Sequence, residues 1–86
     1  MIRPVKVEAL PHYQLHVVYS DGVDGTIDLS RDVGNGVFTP LVDPAVFAIV
    51  HLGKHGQIAW SDEIEICPDA VYLEITGKRA AEAAHA

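Results

Sequence analysis

Tyr13-Gln14-Leu15-His16-Val17-Val18-Tyr19-Ser20-Asp21-Gly22-Val23-Asp24-Gly25-Thr26-Ile27-Asp28-Leu29 alternates, breaks and alternates again. Tyr13, Leu15, Val17 and Tyr19 recur with a period of two, the mark of a strand that buries one face. Ser20-Asp21-Gly22 and then Asp24-Gly25 supply two places where glycine can take a positive φ, so the chain turns there and returns over about Gly25 to Leu29. Working upstream, apolar residues alternate with Lys6 and Glu8 from Val5 to Ala9, which predicts a further strand. Leu10-Pro11-His12 forms the turn between the two, because proline fixes φ and cannot donate to a ladder. The N-terminal third therefore reads as three antiparallel strands.

Downstream, Ser30 and Arg31 lead into Gly34-Asn35-Gly36, where regular structure is limited to one short helical turn. Asp43-Pro44 is a helix start with a mechanism. The carboxylate caps orphan amides, and proline occupies the first helical position, where its missing N–H costs nothing. The helix is short, with Val46 and Phe47 facing the core. Ile49, Val50 and Leu52 then read as a buried strand, Gly53 to Gly56 as a turn, and Gln57 to Trp60 as the partner strand. Pro68-Asp69 repeats the helix start, with Val71, Tyr72 and Ile75 on one face. Gly77 ends or weakens that helix, and the alanine-rich tail 78–86 is frayed, or helical only when something packs on it. The predicted order is β-β-β-α-β-β-α: a two-layer α+β domain over 1–77, with an antiparallel-rich sheet of about five strands and two helices on one face.

The chain resembles the family called domain of unknown function 2442 from about Val5 to Tyr72. The resemblance is carried by Tyr19-Ser20-Asp21-Gly22, Gly25-Thr26-Ile27-Asp28-Leu29, Phe38-Thr39-Pro40-Leu41, Asp43-Pro44 with Phe47, Ile58-Ala59-Trp60, and Pro68-Asp69 with Tyr72. It departs after Trp60, where the family prefers a turn-forming glycine near position 63 and a leucine near 66, and this chain has Glu63 and Ile66. The resemblance implies a compact α+β fold in a cytosolic prokaryotic setting and no established activity. It also implies relatives that are free-standing, fused to a helix-turn-helix, or placed beside small partner proteins in the manner of toxin–antitoxin pairs. With the chain ending near residue 86, no helix-turn-helix is expected to follow.

Composition narrows the function classes. Of 86 residues, 49% are hydrophobic and 21% charged, the balance of a folded domain. Twelve acidic residues against six basic ones give a net charge of −6, which disfavours direct binding to nucleic acid or anionic lipid. The single cysteine, Cys67, excludes an intrachain disulfide. No segment has the apolar length of a signal peptide or a membrane span, so a cytoplasmic location and no membrane association are expected.

No residue set reads as a catalytic constellation, and no cofactor is expected. His51 and His55, like His12 and His16, are four apart, but each pair sits in strand or turn and brings no third ligand, so a zinc site is not predicted. Asp62, Glu63, Glu65 and Asp69 form the densest acidic stretch, read as a solvated loop leading to a helix N-terminus. Cys67 is expected to be half-buried and inert. Phe38 and Trp60 could make an aromatic ligand surface, although core positions suit both. Asp21, Asp28, Trp60, Glu65 and Asp69 are the candidate binding residues, should the fold bring them together. The expected function is a non-enzymatic protein-interaction or regulatory module, antitoxin-like or self-associating. The alternative is a small enzyme or metal-binding domain using Asp, Glu and His in the hairpin loops.

Overall fold

The computed structural model describes residues 2–85, with side chains described through Gly77. The N-terminal meander follows the alternation closely. β1 (Pro4–Leu10), β2 (Gln14–Tyr19) and β3 (Asp24–Asp28) form one antiparallel sheet in that order. Val7 pairs with Val17, Ala9 with Leu15, and Leu15 with Ile27. These inward positions bury Leu15, Val17, Tyr19 and Ile27, while Lys6, Glu8 and Thr26 face solvent. A register shift between Pro4 and Lys6 leaves Val5 outside the ladder, 52% exposed.

One inward residue is not in its predicted strand. Tyr13 sits in the β1–β2 turn, where His12 and Tyr13 both adopt left-handed backbone, φ 63° and 60°. An aromatic residue rarely takes this conformation. Here the surroundings over-determine it. The Tyr13 hydroxyl donates to the Val42 carbonyl at 2.6 Å, its ring meets Phe47 edge-on at 5.4 Å, and its own carbonyl accepts the Leu29 amide.

The 29–36 segment closes on itself through turn hydrogen bonds and runs into a 3-10 helix, Gly36–Val42. It is followed by α1 (Pro44–Phe47), whose N-cap Asp43 accepts the Ala45 amide at 2.9 Å as its sequence predicts. The following strand is shorter than expected. Ile49 continues the turn after α1, its amide bonded to the Val46 carbonyl, and is 57% exposed, so β4 comprises only His51–Leu52.

The single five-stranded sheet is corrected to two three-stranded antiparallel sheets. β4, β5 (Ile58–Ala59) and an unanticipated β6 (Glu65–Ile66) form the second one. β6 arises from the stretch read as an acidic loop. Ile64 is buried, Glu65 exposed and Ile66 half-buried, so the alternation was present beneath the charges. The turn from β5 to β6 needs no glycine at 63, because the Ser61 hydroxyl accepts the amides of Glu63 and Ile64.

α2 (Pro68–His85) lies over β3, with Val71 and Ile75 buried as predicted. It approaches so closely that a Cβ on Gly25 would fall 2.5 Å from Ile75 Cγ2. The helix continues through Gly77 rather than stopping there. The packing expected of the tail 78–86 lies outside the described residues. Both sheets and both helices share one core, in which Leu15, Val17 and Ile27 join Leu41, Phe47, Ile58, Trp60, Val71 and Ile75. Among the described residues, no helix is long and apolar enough to cross a membrane.

Candidate interaction groove

Between the two sheets the core opens to solvent in an apolar groove of about 310 Å³. Its floor is Ile27 from β3, Leu41 from the 3-10 helix and Val71 from α2, all buried. One wall is the 29–36 segment. Asp28 Oδ1 accepts the Ser30 amide, the Leu29 carbonyl accepts the amides of Asp32 and Val33, and the Asn35 side chain donates to the Arg31 carbonyl. With its polar groups satisfied internally, this curl turns Leu29 and Val33 toward the groove. Half-buried Phe38 and Ile66 extend the apolar wall, and Cys67 and Ala70 complete the rim at the start of α2.

Among the described residues the charged side chains lining the groove are both acidic: Asp32 and Glu74. They continue into an adjoining polar face made with Asp28 and Arg31. Cys67 is exposed, correcting the half-buried thiol expected from sequence. It lies between β6 and the first turn of α2, on the rim of the groove.

The five candidate residues do not converge. Asp21 and Asp69 come to one corner, where β2 meets the start of α2. There Asp21 Oδ2 accepts the Tyr72 hydroxyl at 2.6 Å and Oδ1 accepts the Val23 amide at 3.0 Å, and the two bonds hold its carboxyl below the usual range. Tyr19 donates to the Pro68 carbonyl at 2.7 Å and stacks edge-on against Tyr72 at 4.9 Å. Burial first, then the charge of Asp69, pushes its phenol up to about 12. Asp28 lies on the polar face beside the groove, with Arg31. Glu65 is exposed on β6, opposite Ala59. Trp60 is a core residue, 3% exposed, with its indole N–H donated to the Phe47 carbonyl at 2.9 Å.

Phe38 and Trp60, weighed together as an aromatic surface, are thus separated into groove wall and core. The groove residues Leu29, Val33 and Ile66 lay outside the candidate set because they come from separate segments that only the fold brings together. His16 bonds Asp24 at 2.8 Å across the outer sheet face, and His51 lies against the Ile49 carbonyl. Among the described residues no three His, Cys, Asp or Glu side chains form a metal-holding group.

The family described as Protein of unknown function (DUF2442) matches residues 4–77. The chain belongs to this family. The family's turn and cap residues therefore have physical roles here: Asp21 and Gly22 in the β2–β3 turn, Asp43 as a helix cap, Trp60 as the brace of the core. No curated protein matches the chain. Among solved structures, a protein from Nitrosomonas europaea named Putative DNA Binding Protein is similar, with 28% identity and a TM-score of 0.80. The similarity covers 93% of this chain and 52% of that one, so the DUF2442 chain spans about half the length of its structural relative.

Proposed function

We propose that this DUF2442 chain is a non-enzymatic protein-interaction or regulatory module. The observation that carries the reading is the groove, whose half-buried apolar walls, Leu29, Val33, Phe38 and Ile66, stand open to solvent above a buried floor, with Asp32 and Glu74 as the charged lining among the described residues. Apolar concavities with a few oriented polar groups are the usual form of a recognition site. The same fold recurring within a protein of about twice the matched length supports a module that works alongside another segment or chain. Antitoxin-like regulation and self-association are two forms of this reading. The test is capture of partners on the purified chain, followed by reconstitution from purified components and light scattering. A complex of fixed stoichiometry, or a concentration-dependent dimer, is the expected result. A strict monomer that re-forms no complex overturns the proposal.

Direct DNA contact is the second reading, favoured by the name of the structural relative and opposed by the net charge of −6. Fluorescence anisotropy with duplex DNA over a salt series separates the two. Binding that weakens steeply with salt supports DNA contact, since phosphate recognition releases counterions. The small-enzyme or metal-binding alternative is tested by metal analysis and a thermal-shift screen, because a ligand specific to the native state raises the melting temperature.

A further inference from the structure

Within the interaction reading, on which this inference rests, we infer that the groove takes a cationic amphipathic segment of a partner protein. Its large apolar side chains would seat between the half-buried Leu29, Val33, Phe38 and Ile66, above the closed floor, with flanking Lys or Arg against Asp32. The floor is aliphatic, so the seated groups must be apolar; a polar group there would lose its hydration without a partner. The volume of about 310 Å³ lies at the lower limit of small-molecule pockets, which suits one or two anchoring side chains rather than a whole ligand. Charge decides the flanks. Among the described residues both charged side chains lining the groove are acidic, and the chain as a whole carries −6. That field draws cationic segments toward the rim and repels anionic ones. An amphipathic helix laid in such a groove would present its anchors at i, i+3 and i+4.

The experiment uses two labelled helical peptides of about 15 residues with the same leucine face, one with lysine and one with glutamate on the polar face. Each is titrated into the intact chain. The lysine peptide is expected to bind at least about tenfold more tightly. Ala70→Trp, an exposed substitution that fills the rim, should weaken it by about tenfold or more, as loss of an interface centre does. Asp32→Lys should weaken it and improve the glutamate peptide. Glu8→Lys, the same charge change on the outer face of the first sheet, should leave affinity within about twofold, since it removes only long-range attraction. Chemical-shift mapping, with each variant's melting temperature as a control for folding, locates the peptide independently.

If Glu8→Lys weakens binding as much as Asp32→Lys while Ala70→Trp has no effect, attraction is nonspecific and the groove assignment falls. Tight binding of the glutamate peptide in the groove overturns the charge assignment, and failure of both peptides to bind overturns the inference as a whole. The interaction reading survives any of these if the chain still reconstitutes a complex or dimerises. It falls only when that separate measurement is also negative.

Discussion

In the first sheet β2 runs six residues and is paired along both edges, whereas no strand of the second sheet exceeds two. The meander holds its shape by backbone ladders and inward alternation, which are repeated features and survive the loss of one. The second sheet is too short to persist by pairing alone. Its geometry is set by single side chains: Trp60 bonded to the Phe47 carbonyl, Ser61 closing the β5–β6 turn, and Gln57 accepting the His55 amide. A region built on repetition tolerates substitution better than one built on individual contacts.

The largest test of this contrast pairs Trp60→Ala with Leu15→Ala. Truncating a buried tryptophan costs about 3–5 kcal/mol and a buried leucine about 2–5 kcal/mol. The tryptophan also leaves the Phe47 carbonyl without its donor, so it should be the more damaging of the two. Against a typical domain stability of about 5–15 kcal/mol, Trp60→Ala puts the whole chain near its limit. Urea denaturation followed by circular dichroism and amide NMR should show one transition in both variants, because both sheets share a core. Two transitions in Trp60→Ala, with the meander surviving, would break the single-core description and make the second sheet a separate unit.

Gly25→Ala tests the seam between the meander and α2. The new methyl would lie 2.5 Å from Ile75 Cγ2, so the Ile75 side chain or the helix that carries it must shift, at a cost of about 1–3 kcal/mol. In an Ile75→Ala background the same substitution should cost much less, a non-additivity that a double-mutant cycle measures directly. Equal costs in both backgrounds would mean that α2 is not held by this contact.

The same contrast explains what the sequence made legible. Alternation in Leu15, Val17 and Tyr19, the Asp43 cap and the Val71–Ile75 helical face are periodic or local signals, and all appear where they were expected. The shorter strands are set by tertiary contacts with no period to read. Ile49 looked buried because it is β-branched and next to Val50, but the chain spends it on the turn after α1. Ile64-Glu65-Ile66 does alternate, yet its flanking carboxylates suggested a loop. The groove was invisible for a related reason: Leu29, Val33, Phe38 and Ile66 come from three segments, and only the curl of 29–36 brings them together.

The β1–β2 turn offers a smaller effect of opposite sign. His12 is exposed and left-handed, which costs a non-glycine residue about 1–2 kcal/mol. His12→Gly should raise stability by about 0.5–1 kcal/mol after the entropy of the unfolded glycine is counted. Tyr13→Gly should instead lower it, because the bond to Val42 and the edge contact with Phe47 are lost together. If both glycine substitutions stabilise, Tyr13 is not an anchor, and the meander is independent of the segment leading to the second sheet.

The corner joining β2 to α2 makes the smallest prediction and the one most specific to single contacts. Asp21 is held below the ordinary carboxylate range first by the Tyr72 hydroxyl and then by the Val23 amide. A carboxyl whose folded pKa is lowered stabilises the native state above its unfolded value and ceases to do so as pH falls through the folded one. Tyr72→Phe should therefore move the Asp21 titration, followed by carboxyl carbon NMR, upward but not fully to the free value, since the amide bond remains. Tyr19 behaves in the opposite direction. Its phenol is raised to about 12, so its contribution is complete below about 10 and is lost as pH climbs toward 12. Tyr19→Phe should flatten the alkaline limb of the stability profile and leave the acid limb unchanged. An Asp21 titration that ignores Tyr72→Phe would show that the two residues meet only in passing, and that Val71, Ile75 and the bond from Tyr19 to Pro68 seat α2 on the meander without Asp21.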